Sequence, residues 1–229
     1  MLCEGGPLPG NRNKMGEIPM ERKTFLLEMY PDRKDAVLDQ LHRLAPEIQA
    51  AAARLGVDNF SIWNVSNLLL GYGEYGLPVD LDDAPKLRAR LEPVIDGNAE
   101  LICPTGTMRL MYQDLGVVRE DKSLIRHRVF AARLKPGCAE EYKRRHDALI
   151  AARGGRVSDG PDSNFTIWYG GTYIFGYCEK VKAYDHEMTE AEREQAIAWE
   201  TKQLEIMDWI TDDVDWITGE KHEAIRRIV

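Results

Sequence analysis

The chain predicts an α+β fold built from two similar units in tandem, each with the element order βαββαβ. Three observations carry this. Residues 59–76 read NFSIWNVSNLLLGYGEYG, and 105 positions later residues 164–181 read NFTIWYGGTYIFGYCEKV. Asn, Phe, Ile, Trp, Gly, Tyr and Glu recur in register. The same offset, without a gap, maps Pro31 onto Pro136, each at the end of an apolar run. In each half, a stretch of helical periodicity separates short runs rich in branched and aromatic residues. Two segments agreeing at one offset point to a tandem duplication, so the 229 residues divide into two units of about 100 each.

The first unit opens with the apolar run 23–30 (KTFLLEMY), stopped by Pro31. A helix follows over 32–55, ended by Gly56 where a left-handed residue is favoured. Strands are expected at 60–64 and 68–75, a second helix at 83–94, and a closing strand within 107–118. The second unit repeats the order, with strands at 127–134, 165–169 and 173–180 and a helix from Cys138. Its second helix is longer. Thr189 and Glu192 form a capping box, and helical character runs to about Ile210. A last strand is expected within 222–229, and 154–163 (GGRVSDGPDS) reads as a loop. The domain plan is therefore a flexible leader at 1–20, a first repeat at 21–120 and a second at 124–229. Within the leader, Met15 and Met20 are alternative starts.

A βαββαβ unit forms a four-stranded antiparallel sheet with both helices on one face. The opposite face needs a cover, and the other unit's sheet is the nearest one available. The expected architecture is two ferredoxin-like repeats packed sheet to sheet, an intramolecular dimeric α/β-barrel. Such a chain is a monomer containing a pseudo-dimer, and further homo-oligomerisation stays open.

A net charge of −8 and a pI near 5.3 argue against nucleic acid and acidic membrane surfaces as partners. The four cysteines, Cys3, Cys103, Cys138 and Cys178, are scattered, which predicts no disulfide framework and fits a reducing cytoplasm. No apolar run is long enough to span a membrane, so a soluble protein is expected. The histidines have no ligand spacing of the HExxH kind, and no GxGxxG, P-loop or nucleophile-elbow context occurs. No metal and no cofactor are expected. A small neutral ligand is the natural partner.

Differences between the copies locate the chemistry. In the first helix, Val37, Leu41, Leu44 and Ile48 form one apolar stripe. At the positions matching Val37 and Leu41, the second copy carries Tyr142 and His146. Burying a phenol and an imidazole without partners costs about 1–3 kcal/mol each, so the second repeat is the expected seat of function and the first its structural partner. On the last helix, Trp199, Gln203, Ile206 and Ile210 share a face. An indole there serves either as core filler or as a platform for the apolar face of a sugar. By strand alternation Phe165 and Ile167 share one face and Trp168 the other. Trp63 and Trp168, present in both halves, read as packing. Glu74 and Glu179 recur as well, leaving a structural role and a ligand-binding role equally open.

Residues 141–146, Glu-Tyr-Lys-Arg-Arg-His, resemble the E-Y-x-R-R-H helix motif of the L-rhamnose mutarotase family. The spacing to Asn164-Phe165-Thr166-Ile167-Trp168 matches that family's N-[YF]-x-I-[YW] strand. The family has one ferredoxin-like unit per subunit and pairs its sheets in a homodimer. The resemblance implies Tyr142 as a sugar-binding residue, His146 as the catalytic proton donor and Trp199 as the first of a tryptophan pair. Phe165 stands where the family places a sugar-contacting Tyr, and Glu200 stands at the second Trp; both are taken as substrate-binding positions. The implied activity is interconversion of the α and β anomers of L-rhamnose or a related deoxyhexose, with no cofactor. Other readings fit the same residues: a non-catalytic sugar-binding or regulatory protein, another dimeric α/β-barrel enzyme such as a small monooxygenase, or a partner-binding module.

Overall fold

Side chains in the first strand, β1 (Glu21–Met29), alternate between two cores. Phe25, Leu27 and Met29 enter one, and Leu26 enters another. That alternation is the period of a strand buried on both faces, and it sets the layering of the molecule. The computed structural model describes residues 20–75, 92, 94–157, 160–184, 187–210 and 224–229. The expected leader, apart from Met20, and most of the helix expected at 83–94 lie outside the described residues.

Helix α1 (Lys34–Arg54) follows β1, with Gly56 just beyond it at φ +68°. Its buried face is Val37, Leu41 and Ile48, joined by Ala51 and Ala52, and it packs on Phe25, Leu27, Phe60 and Ile62. Strands β2 (Val57–Val65) and β3 (Leu68–Tyr75) form a hairpin, and β4 (Ala99–Cys103) pairs with β1. The order β2-β3-β1-β4 is that of a ferredoxin-like sheet. The second half gives the same order with β6 (Ile125–Leu134), α2 (Ala139–Ala152), β7 (Asp162–Gly170), β8 (Tyr173–Val181), α3 (Glu190–Leu204) and β9 (Met207–Trp209). The capping box forms at Thr189, whose hydroxyl accepts from the Glu192 N–H while the Glu192 carboxylate accepts from the Thr189 N–H. The two sheets pack face to face. Leu26, Trp63, Leu70 and Tyr72 of one meet Val129, Trp168, Phe175 and Tyr177 of the other in a shared middle core.

Three expectations change. The strand within 107–118 forms, as β5 (Arg109–Asp114), but it does not close the first sheet: it pairs antiparallel with β7 at the edge of the second. The C-terminal strand, β10 (Arg226–Arg227), crosses the other way and pairs with β2. The position beside β1 is already taken by β4, whereas β2 and β7 would leave open hydrogen-bonding edges. Each half therefore covers the other's edge, and Ile228 and Val229 are buried in the first half's core. The last helix also ends at Leu204 rather than near Ile210, because Met207–Trp209 is drawn into the sheet beside β6.

Candidate active site

Helix α2 turns Tyr142 and His146 onto the second sheet, at 2% and 5% exposure. One helical turn apart, their rings stack with centroids 4.2 Å apart. His146 Nδ1 lies 2.9 Å from the Tyr142 carbonyl oxygen. A carbonyl only accepts, so in the neutral ring the proton sits on Nδ1 and Nε2 is the acceptor nitrogen. Burial lowers the His146 pKa, partly countered by that hydrogen bond and by Asp147. Tyr142, enclosed and near the Glu200 carboxylate, is pushed well above the usual phenol range, chiefly by burial, and remains a hydroxyl.

Helix α3 runs antiparallel to α2 and brings Trp199 edge-on to His146, with centroids 5.4 Å apart. The pair of helices is fixed by Arg145, itself buried. Arg145 donates to the Lys202 carbonyl, to Glu205 at 2.8 Å and to Glu141 at 2.7 Å. Two guanidiniums, of Arg144 and Arg145, hold the Glu141 carboxyl down at about 2. Glu200 is buried, and its carboxylate accepts the indole N–H of Trp209. The five residues expected from sequence thus fall into one neighbourhood. Tyr142 and Trp199 contact the imidazole, and Glu200 acts on Tyr142 by charge. Half-buried Phe165 stands one ring farther away, reached through Tyr112.

Tyr112 was not legible as a site residue. It arrives on β5, the strand given by the first half, and meets His146 at 5.5 Å and Phe165 at 5.2 Å between centroids. Arg153, at the end of α2, donates to the Tyr112 hydroxyl at 2.6 Å and pairs with Asp114. Burial raises the Tyr112 pKa against the lowering effect of that guanidinium. Phe130 and Trp209 complete the aromatic wall, with Phe130 5.5 Å from Trp209 and 6.2 Å from Phe165. A 105-residue register cannot reveal a residue supplied by an exchanged strand. A helix reading that continued to Ile210 likewise concealed Trp209.

The recurring polar residues lie on the other side of the second sheet. Between the sheets, the Asn59 and Asn164 amides each donate to both Glu74 and Glu179, at 2.6–3.0 Å. Tyr72 and Tyr177 stack at 3.7 Å and donate to Glu74 and Glu179 respectively. Lys122 grips both Glu179 oxygens at 2.8 and 2.9 Å. Both asparagines adopt positive φ, +49° and +54°, at matching irregularities in β2 and β7. These carboxylates are spent on the contact between halves and face away from His146. A cleft of about 430 Å³ bordered by Arg22, Thr24, Gln113 and Trp168 also lies at the sheet–sheet edge. Among the described residues, no cluster of three or more His, Cys, Asp or Glu could hold a metal ion, and no helix is long and apolar enough to cross a membrane.

Residues 127–227 match the family model described as L-rhamnose mutarotase. The likeness therefore covers the C-terminal part of the chain, including Tyr142, His146, Phe165, Trp199, Glu200 and Trp209, and leaves Tyr112 outside. No curated protein matches the chain. Among solved structures, a monooxygenase candidate from Fusobacterium nucleatum subsp. nucleatum ATCC 25586 is 10% identical at a TM-score of 0.43, over 93% of this chain and 91% of that one. An anthrone oxidase-like protein is 13% identical at a TM-score of 0.43, over 92% and 94%.

Proposed function

We propose that the chain is a sugar mutarotase, interconverting the α and β anomers of L-rhamnose or a related deoxyhexose at one site centred on His146. The observation that carries this reading is a buried imidazole kept neutral, with Nδ1 tied to a backbone carbonyl and Nε2 left as the basic nitrogen. Mutarotation needs a group that takes a proton and returns it near neutral pH. Nε2 takes the anomeric hydroxyl proton and, as the imidazolium, returns it to the ring oxygen. The bond from C1 to the ring oxygen breaks, the aldehyde carbon rotates, and the ring closes on the opposite face with the proton transfers reversed. No electron acceptor enters the balance. Tyr142 and Glu200 supply hydrogen bonds to hydroxyls, and Trp199 offers an apolar face.

With the imidazole 5% exposed, a sugar reaches it only when side chains move, and the half-buried Trp199 ring, edge-on to the imidazole, is the nearest to do so. The test is exchange of L-rhamnose anomers followed by NMR with and without protein. Acceleration that disappears in His146→Gln supports the proposal. Unchanged exchange across L-rhamnose and related aldoses would end the enzymatic reading, and tight binding without faster exchange would leave a sugar-binding protein.

A further inference from the structure

Gln203 is 2% exposed, and neither its Oε1 nor its Nε2 finds a hydrogen-bond partner in the protein. Among the described residues no other side chain has both of its polar atoms buried and unpartnered. Other buried amides of this chain are well supplied. Asn64 donates to the Ser66 and Leu68 carbonyls, and Asn164 sits with half-buried Asn59 in the network between the sheets. A buried amide with no partner weakens the fold, so an unpaired one in a native chain calls for a reason.

Its position supplies one. On α3, Gln203 follows Trp199 by four residues and Glu200 by three, so the three side chains share a face. Trp199 meets the His146 ring, and the Glu200 charge acts on Tyr142. The helices run antiparallel, with Arg145 reaching the Lys202 carbonyl and Glu205, so a step from Trp199 to Gln203 parallels a step from His146 to Tyr142. The residues after it, Ile206 and Met207, belong to the same core as Tyr142, where an aliphatic side chain would pack without penalty.

We propose that Gln203 determines specificity at the His146 site, its amide hydrogen-bonding a vicinal pair of sugar hydroxyls, Oε1 accepting from one and Nε2 donating to the other. This rests on the mutarotase reading for the identity of the ligand, not on turnover. A site built to pair a hydroxyl rejects an analogue lacking it, because the amide is then left buried and bare.

The experiment compares the wild type with Gln203→Met, measuring melting temperature without sugar, L-rhamnose binding by calorimetry and anomer exchange by NMR. Monodeoxy analogues of the sugar are measured alongside. Gln203→Met is expected to melt a few degrees higher, to bind L-rhamnose about tenfold more weakly (about 1.4 kcal/mol), and to raise KM by more than it lowers kcat. It should also lose the wild type's preference for L-rhamnose over one deoxy analogue. Unchanged affinity and preference would overturn the proposal, leaving the amide to a buried water. Should the variant fail to fold, the analogues decide on the wild type alone, and equal binding of every monodeoxy sugar overturns it. A wild type that binds without turnover, while Gln203→Met binds more weakly, would sink the mutarotase reading and support the role of Gln203. Normal turnover with an indifferent Gln203→Met would do the reverse. A wild type that binds no sugar removes both.

Discussion

Helix α1 buries Val37, Leu41 and Ile48 against its sheet, while α2 places Tyr142 and His146 at the two positions matching Val37 and Leu41. Between the sheets the halves agree instead: Asn59 with Asn164, Tyr72 with Tyr177, Glu74 with Glu179. The shared Asn, Tyr and Glu lie where each half must fit the other, while Phe60 with Phe165 and Ile62 with Ile167 are shared on the helix-covered faces. The exchange of Val37 and Leu41 for Tyr142 and His146 lies instead on a helix-covered face, away from the contact between the sheets.

The strongest way to break that contrast is at His146. His146→Gln should cost about 10²–10⁴-fold in anomer exchange with the melting temperature little changed. Leu41→Gln, its counterpart, should instead lower stability and leave the rate per folded molecule alone. At the joint, Lys122→Met removes the ammonium that holds Glu179 and should cost about 3–5 kcal/mol by urea unfolding. Adding Glu179→Gln to that variant should restore part of the loss.

Two glycines sharpen the comparison. A Cβ on Gly71 would overlap the Phe25 ring, and one on Gly176 would overlap Phe130. Gly71→Ala and Gly176→Ala should each destabilise by about 1–3 kcal/mol in denaturant titrations. Gly176→Ala alone should also alter exchange kinetics, because Phe130 touches Phe165 and Trp209. Tyr112→Phe strips a buried partner from Arg153 and should cost about 1 kcal/mol of stability.

The smallest effect is with pH. His146 and His127 both have pKa values below the ordinary 6.5, mainly because burial disfavours the cation. Below 6.5 the unfolded chain binds more protons than the folded one, so stability is level above that pH and falls as acid takes the solution toward the folded values. Urea midpoints should drop between pH 7.5 and 5.5, and by less in His146→Gln.

The two-layered ferredoxin-like plan was legible because alternation and helical spacing report burial directly. Phe165 and Ile167 do face the helices while Trp168 faces the other sheet, as strand geometry requires. Tyr142, His146 and Trp199 were legible for the same reason, being polar or bulky groups on stripes that should be aliphatic. The exchange of β5 and β10 was not. An edge strand carries the same pattern whichever sheet it joins, and the choice is made by which edges remain open. Tyr112 was hidden with it. Gln203 was visible on its stripe, but its want of partners belongs to three dimensions.

The exchanged strands also govern how the molecule is assembled. As the chain leaves the ribosome, the β2 edge must wait for residues 226–229, while the strand destined for β7 emerges before its host exists. Neither half can reach its finished form ahead of the other, so folding should be a single event rather than two. Trimming those final four residues would be felt at Ile62, on the far side of the sequence, where the Ile228 and Val229 main chain hydrogen-bonds.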